Sequence, residues 1–116
     1  MKGNNRMKRI IGIIISVAVM ACALTGCSRE RMMFGTGGTA GTYYAYGGVI
    51  AQYLTNYADV KVTAVSSGGS KANVQSIQDG DFQLGFVQSD VMAYAWDGKQ
   101  SFEKDGPTHD FRVLGG

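Results

Sequence analysis

Residues 34–44 read FGTGGTAGTYY, and this glycine-rich stretch decides the fold. It follows a short apolar run that ends at Phe34, and it precedes an amphipathic segment that begins at Tyr43. Glycines let a backbone turn tightly and approach a bound group closely, because no Cβ stands in the way. A helix that starts in such a turn presents unpaired N–H groups and a partial positive charge, which favour an anion. The stretch therefore predicts a strand-to-helix turn that binds a negatively charged group.

Two later stretches repeat this arrangement of small and hydroxylic residues between a strand and a helix. They are VSSGGS at residues 65–70 and VQSD at residues 87–90. Strands that alternate with helices form a parallel sheet with right-handed crossovers, and ligands bind at the edge where the carboxyl ends of the strands meet. All three turns fall at that edge. We expect them to form one wall of a cleft for a small organic anion.

Hydrophobic periodicity predicts an α/β domain with a mostly parallel sheet and flanking helices. The predicted strands are Met32–Phe34, Val60–Val65, Phe82–Val87 and Phe111–Leu114, and the predicted helices are Thr42–Tyr57, Ser70–Gln78 and Ser89–Trp96. Ser70 is the expected N-cap of the second helix, and Ser89 or Asp90 is the expected N-cap of the third. Gly98 is expected to end the third helix.

The first predicted helix carries its apolar and small residues at helical spacing. Its apolar side consists of Tyr43, Tyr46, Gly47, Ile50, Ala51, Leu54 and Tyr57. Tyr43, Tyr44 and Tyr46 either pack in the core or line a pocket. Gly47 and Gly48 each lower the helix propensity by ~1 kcal/mol relative to alanine, so we interpret this pair as a close-packing spot. Gly37, Gly38 and Gly69 are expected to need conformations or clearances that a side chain would prevent.

The charge distribution argues against a nucleic-acid partner. Eleven basic and nine acidic residues give a net charge of +2, but four of the basic residues lie within the first nine positions. From Cys27 onward, seven basic and nine acidic residues leave a net charge of −2. Nucleic-acid binding needs a clustered basic face, so no such partner is expected.

A length of 116 residues allows one domain at most.

The N-terminus has the organisation of a bacterial lipoprotein signal peptide. A basic segment precedes an uncharged apolar run over Ile10–Leu24, which falls short of the roughly 20 residues that cross a bilayer. The sequence LTGC at Leu24–Cys27 resembles the lipobox, in which the cysteine thiol is alkylated by diacylglycerol and becomes the first mature residue. Residues 1–26 are thus predicted to be a signal-peptide helix, and residues 27–31 a tether from the lipid on Cys27. An uncleaved membrane anchor is the alternative.

Residue types that support catalysis, metal binding or a bound cofactor are sparse. The GxGxxA spacing at residues 35–40 fits the dinucleotide fingerprint, but Asp59 precedes the second strand, whereas the fingerprint needs an acidic residue at its end. The single histidine, His109, is expected to be a solvated loop residue, and no GxSxG elbow is present. Cys22 and Cys27 alone do not make a metal site. We therefore expect no enzymatic activity, no metal and no cofactor.

Three stretches in this order resemble the extracytoplasmic solute receptors of TRAP transporters, of the TAXI type. They are GTGGTAGTYYAYGGVIA at residues 35–51, AVSSGGSKANVQSIQDGDFQLGFVQSDVMAYAWDG at residues 64–98, and FRVLGG at residues 111–116. The resemblance implies a two-lobed, type II periplasmic-binding-protein fold that closes on an organic anion and delivers it to a membrane permease. The implied ligand is a glutamate-like amino acid or a dicarboxylate. The implied ligand-binding residues are Thr36, Gly37, Gly38, Thr39, Tyr43, Ser67, Gly69, Ser70, Asn73, Gln88 and Ser89.

Within this resemblance, residues 32–116 correspond to the N-terminal part of the first lobe. We expect the chain to be a fragment without the second lobe, and tight binding is not expected of it because lobe closure buries the ligand. The alternative function is that of a lipid-anchored accessory or structural lipoprotein without a ligand. Thermal stabilisation by an organic anion distinguishes the two functions, since only a receptor would respond.

Overall fold

The computed structural model of the protein describes residue 4, residues 6–11 and residues 30–116, and residues 6–11 are helical. The elements of the main part are β1 (Arg31–Gly35), α1 (Thr42–Tyr57), β2 (Lys61–Val65), α2 (Ser70–Gln78), β3 (Leu84–Gly85), α3 (Ser89–Asp97) and a 3-10 turn (Gln100–Phe102). None of the helices in the described part of the chain is both long and apolar enough to cross a membrane. The lipidation predicted at Cys27 and the cleavage before it lie outside the described residues.

The three strands form a parallel sheet in the order β2-β1-β3, which confirms the predicted α/β class. In the register, Arg31 pairs with Lys61 and Gly35 pairs with both Val65 and Gly85. β2 lies on one side of β1, and β3 lies on the other side. Because the two crossovers run in opposite directions and both are right-handed, α1 and α2 lie on opposite faces of the sheet. A three-stranded parallel sheet with flanking helices is consistent with a partial periplasmic-binding lobe.

The main core lies between the sheet and α1. Phe34, Val62 and Ala51 are buried there, and Leu54 and Phe86 pack against them. Successive side chains of a strand point to opposite faces of the sheet. The buried sheet residues share one face, which is apolar and covered by the helix.

α1 faces the sheet through its small residues and not through its tyrosines. Gly47 and Ala51 are buried, whereas the other members Tyr43, Tyr46, Ile50 and Tyr57 are exposed, so the apolar side predicted from the spacing is buried only in part. A Cβ on Gly47 would overlap the methyl group of Thr36, so the close-packing interpretation is confirmed at Gly47. At Gly48 it is wrong, because a Cβ there would meet open space. Tight contact at Gly47 fixes the rotation of the helix and turns the tyrosines outward.

A second cluster packs α2 against α3 and the 3-10 turn. Val74, Ala95 and Phe102 are buried in it. On the sheet side, α2 approaches the strands closely because Gly35 and Gly85 carry no side chain. A Cβ on Gly85 would lie 3.0 Å from Ile77 Cδ1.

The fourth predicted strand, Phe111–Leu114, does not form in the described chain. These residues instead line a groove of about 450 Å³ beside β3, and Phe111 packs edge-on against Trp96, with ring centroids 5.9 Å apart. β3 is also shorter than predicted. At its start the side-chain oxygen of Gln83, and not a backbone carbonyl, accepts the hydrogen bond from Met33 N at 2.8 Å, so regular pairing begins only at Leu84.

Candidate anion-binding site

The candidate site is the edge of the sheet where the three strands end. We call the loops that follow β1, β2 and β3 the first turn (residues 36–41), the second turn (residues 66–69) and the third turn (residues 86–88). In the strand order β2-β1-β3, connections leave β1 and β3 toward opposite faces of the sheet. Such a reversal opens a crevice at the carboxyl ends of the two strands, which is where open α/β sheets bind ligands.

Direct hydrogen bonds hold the first and second turns together. Ser67 N donates to Gly37 O at 3.1 Å, and Thr36 N donates to Val65 O at 3.0 Å. The hydroxyl of Thr36 donates to the same Val65 carbonyl at 2.6 Å. The buried Thr36 side chain therefore fixes the position of the first turn and is not free to face a ligand.

Two residues of α2 connect the third turn to the other two. The amide nitrogen of Asn73, which is fully buried, donates to Thr36 O at 2.9 Å and to Phe86 O at 2.8 Å. The hydroxyl of Ser70 accepts a hydrogen bond from Gln88 N at 3.0 Å. The three turns thus form one connected surface, as the parallel topology predicts.

None of the three helices has a side-chain hydrogen bond at its N-cap. The N-cap residues are Gly41, Gly69 and Gln88, so the prediction that Ser70 caps α2 and that Ser89 or Asp90 caps α3 is wrong. The hydroxyl of Ser70 is used as the acceptor for Gln88 N instead. Since an α-helix leaves its first N–H groups without an intrahelical partner, the uncapped N-termini of α1 and α2 supply donors for an anion, whereas in α3 the carboxylate of Asp90 already accepts from Val91 N.

The predicted site residues divide into a buried set and an accessible set. The buried set is Thr36, Gly37, Ser70 and Asn73. The half-buried residues are Ser67 and Gly69, and the exposed residues are Gly38, Thr39, Tyr43, Gln88 and Ser89. The side chains of Thr36, Ser70 and Asn73 bind backbone groups of the turns, while Oδ1 of Asn73 is buried without a hydrogen-bond partner. Direct contact of the predicted residues with a ligand stays a prediction.

The glycines of the site differ from expectation in two of three cases. Gly69 has a φ of +91°, which confirms that it needs a conformation unfavourable to other residues. For Gly37 and Gly38 the prediction is wrong, because neither has a positive φ and an added Cβ would make an ordinary contact or none. Gly35 is a further packing glycine that was not predicted, since an added Cβ there would lie 2.5 Å from Asn73 Oδ1. No sequence signal separates this packing glycine from its neighbours in the turn.

Aromatic residues border the crevice on the α1 face. Tyr43, in the first turn of α1, stacks on Phe86 with ring centroids 5.0 Å apart and an interplanar angle of 29°. Phe86 in turn packs against Phe34 at 4.8 Å. This stack joins the start of α1 to the end of β3, so it narrows the crevice from one side.

The charged side chains near the helix N-termini do not by themselves favour an anion. Lys71, in the first turn of α2, forms an ion pair with Asp105 at 2.9 Å and donates to Ser101 O. Asp90 adds a negative charge in the first turn of α3, and its Oδ1 accepts from Val91 N at 2.8 Å. The favourable potential for an anion therefore comes from the backbone N–H groups of α1 and α2.

Two cavities lie near the candidate site. The groove beside β3 reaches it only at Phe86 and Val87, and a second cavity, of about 500 Å³, lies around Trp96 and Met92 on α3. His109 packs against Trp96 with its ring tilted by 39° and the ring centroids 4.2 Å apart, so it is exposed but not a purely solvated residue. In the part of the chain that the structure describes, no three metal-ligating side chains come together.

A comparison with known protein families identifies the chain. The model of the NMT1-like family matches residues 34–116, a region that contains all three turns. This family is of the periplasmic-binding type, which suggests an extracytoplasmic solute-binding role with a small-molecule ligand and a transporter partner. The matched region is most of the chain and contains the end of β1, all of β2 and β3, the helices α1 to α3 and the candidate site. The protein belongs to the NMT1-like family.

Proposed function

We propose that the protein is an extracytoplasmic receptor that binds a small organic anion for uptake by a TRAP-type secondary transporter, as a member of the TAXI type. The observation that carries this proposal is that hydrogen bonds between the turns bring the N-termini of α1 and α2 to one edge of the sheet, and that neither helix has a side-chain cap or an acidic residue in its first turn. The proposed ligand is a glutamate-like amino acid or a dicarboxylate. The role requires no catalytic residue, metal or cofactor.

Backbone donors provide the attraction for the carboxylate. Each helix N-terminus stabilises a nearby anion by about 0.3–1 kcal/mol when exposed, and hydrogen bonds to a charged group contribute about 1.5–3 kcal/mol each. The first N–H groups of α1 and α2 are the strongest candidates, since no acidic residue lies in the first turn of either helix.

The accessible residues contact the ligand in this proposal, and the buried residues position them. The hydroxyls of Thr39 and Ser89 and the side-chain amide of Gln88 are exposed beside the donors. Asn73 and Ser70 hold the third turn against the first and second turns, so the donors of different helices keep a fixed spacing. A preorganised site of this kind loses less conformational entropy on binding.

The proposals of a lipid anchor and of a transporter partner are based on the sequence. The order of basic segment, apolar run and LTGC supports lipid attachment at Cys27 and localisation on the outer side of a bacterial membrane. The three stretches that resemble TAXI receptors support a TRAP permease as the partner.

Thermal unfolding of the purified chain in detergent, with and without organic anions, tests the receptor function. L-Glutamate and succinate are the probes, and the uncharged diamide succinamide is the control, with ionic strength matched by sodium chloride. At a ligand concentration ten times the Kd, binding to the folded state stabilises the protein by about 1.4 kcal/mol. An increase in Tm with succinate or glutamate, but not with succinamide, is expected.

Equal Tm values in all solutions would contradict the receptor function. That result would favour the alternative, a lipid-anchored structural lipoprotein, in which Thr36, Ser70 and Asn73 serve only to connect the three turns.

A further inference from the structure

One face of α1 is apolar, exposed and not covered by any described part of the chain. We call this the outer tyrosine face; it consists of Tyr46, Val49, Tyr53 and Tyr57, whose exposed fractions are 64%, 68%, 62% and 75%. The spacing of three and four residues places all four side chains on one side of the helix. Tyr53 and Tyr57 are in contact, with ring centroids 4.8 Å apart.

α1 therefore carries apolar side chains well beyond the side that packs on the sheet, and the exposed polar residues Gln52 and Asn56 occupy the remaining side. Its inner side packs on the sheet through Gly47 and Ala51, and its outer side is the tyrosine face. Surface helices of soluble proteins usually carry charged or polar residues opposite their buried side, whereas a helix that is apolar all round is usually buried. The sequence TYYAYGGVIAQYLTNY contains no charged residue over its 16 positions. Such a helix indicates an interface.

We propose that the outer tyrosine face binds the same face of a second copy of the chain, with the two α1 helices antiparallel. In this arrangement Tyr46 of one copy lies opposite Tyr57 of the other, and Val49 lies opposite Tyr53. A two-fold symmetric contact requires a surface that is complementary to itself. In the antiparallel arrangement each residue of the face meets a tyrosine or a valine of the other copy, so apolar groups meet apolar groups along the whole contact.

The area of the face is sufficient for a weak, specific dimer. Taking ~200 Å² for a whole tyrosine and less for valine, the face presents about 500 Å² in each copy. The pair of copies would bury about 1,000 Å², which is the lower limit for a specific interface. The absence of charge from α1 also means that two copies meet without like-charge repulsion. Aromatic contacts of this kind often supply most of the binding energy of an interface.

Sedimentation velocity of the full chain in detergent, over a range of protein concentrations, tests the proposal. Tyr53→Glu places a charge at the centre of the face and should raise the dissociation constant of the dimer at least tenfold. Gln52→Glu is the matched control, because Gln52 is exposed on the same helix but lies outside the face. Both variants retain the N-terminal segment, so any association caused by that segment is unchanged. A concentration-independent monomer, or equal dissociation constants for the two variants, would overturn the proposal.

Photo-crosslinking identifies the occupant of the face directly. Benzoylphenylalanine is incorporated at position 53, and at position 52 as the control, in the full chain expressed in cells. The proposal predicts a product of twice the 12.4 kDa chain mass at position 53, containing this chain alone, and much less of it at position 52. A link from position 53 to residues 12–29 of the same chain, or only to other proteins, would contradict the proposal.

Discussion

Asn73 is the side chain on which the geometry of the candidate site depends most. Its amide nitrogen donates to Thr36 O and to Phe86 O, and so connects the end of β1 with the end of β3. Asn73→Ala removes both hydrogen bonds. A buried acceptor that loses its partner costs about 1–3 kcal/mol. Thr36 is fully buried, and the hydrogen bond to Phe86 O is partly buried. We therefore expect a loss of about 2–4 kcal/mol in the free energy of unfolding.

Urea unfolding monitored by the fluorescence of Trp96, the single tryptophan, measures this loss. Asn73→Asp is a second variant of nearly the same shape, in which an oxygen replaces the donor nitrogen. It should lose at least as much stability as Asn73→Ala, because a carboxylate cannot donate to two carbonyls. Gln78→Ala, at an exposed position of the same helix, is the control and should change stability by less than about 0.5 kcal/mol. A loss below about 0.5 kcal/mol for either Asn73 variant would refute the reasoning.

Three further predictions concern the glycines and the anchor. Gly47→Ala should destabilise the protein by about 1–3 kcal/mol in urea unfolding, because the new methyl group would overlap that of Thr36. Gly48→Ala, which meets open space, should instead stabilise α1 by up to ~1 kcal/mol; equal effects at the two positions would argue against the packing described. Gly69→Ala should lose about 1–2 kcal/mol because of the φ of +91° at this position, and an unchanged urea midpoint would count against that strain. Cys27→Ala should abolish the incorporation of labelled fatty acid, and labelling that survives the substitution would rule out this lipidation site.

The order of strands and helices could be predicted from the sequence because glycine-rich turns separate β-branched runs from helical ones. Lys61–Val65 and Ser70–Gln78 lie within or match the predicted ranges for this reason. The position of the three turns at one edge followed from parallel topology alone.

The rotation of α1 and the roles of the polar residues could not be predicted, because they depend on contacts between distant parts of the chain. Tyr46 and Tyr57 satisfy the helical spacing of a buried side as well as Gly47 does, and only the approach of Thr36 selects the glycine. Ser70 has the residue type of an N-cap, but the proximity of Gln88 N gives its hydroxyl a different partner. Such contacts are set by tertiary packing and have no local signal.

The most direct test of the central claim is an amide chemical-shift titration of the ¹⁵N-labelled full chain with succinate and with L-glutamate. This measurement detects weak binding and reports where it occurs. Binding at the three turns predicts saturable shifts of the N–H signals of Gly38, Thr39, Ser70 and Ser89, and none with succinamide. Unchanged signals at these positions, or shifts confined to the groove beside β3, would contradict the account.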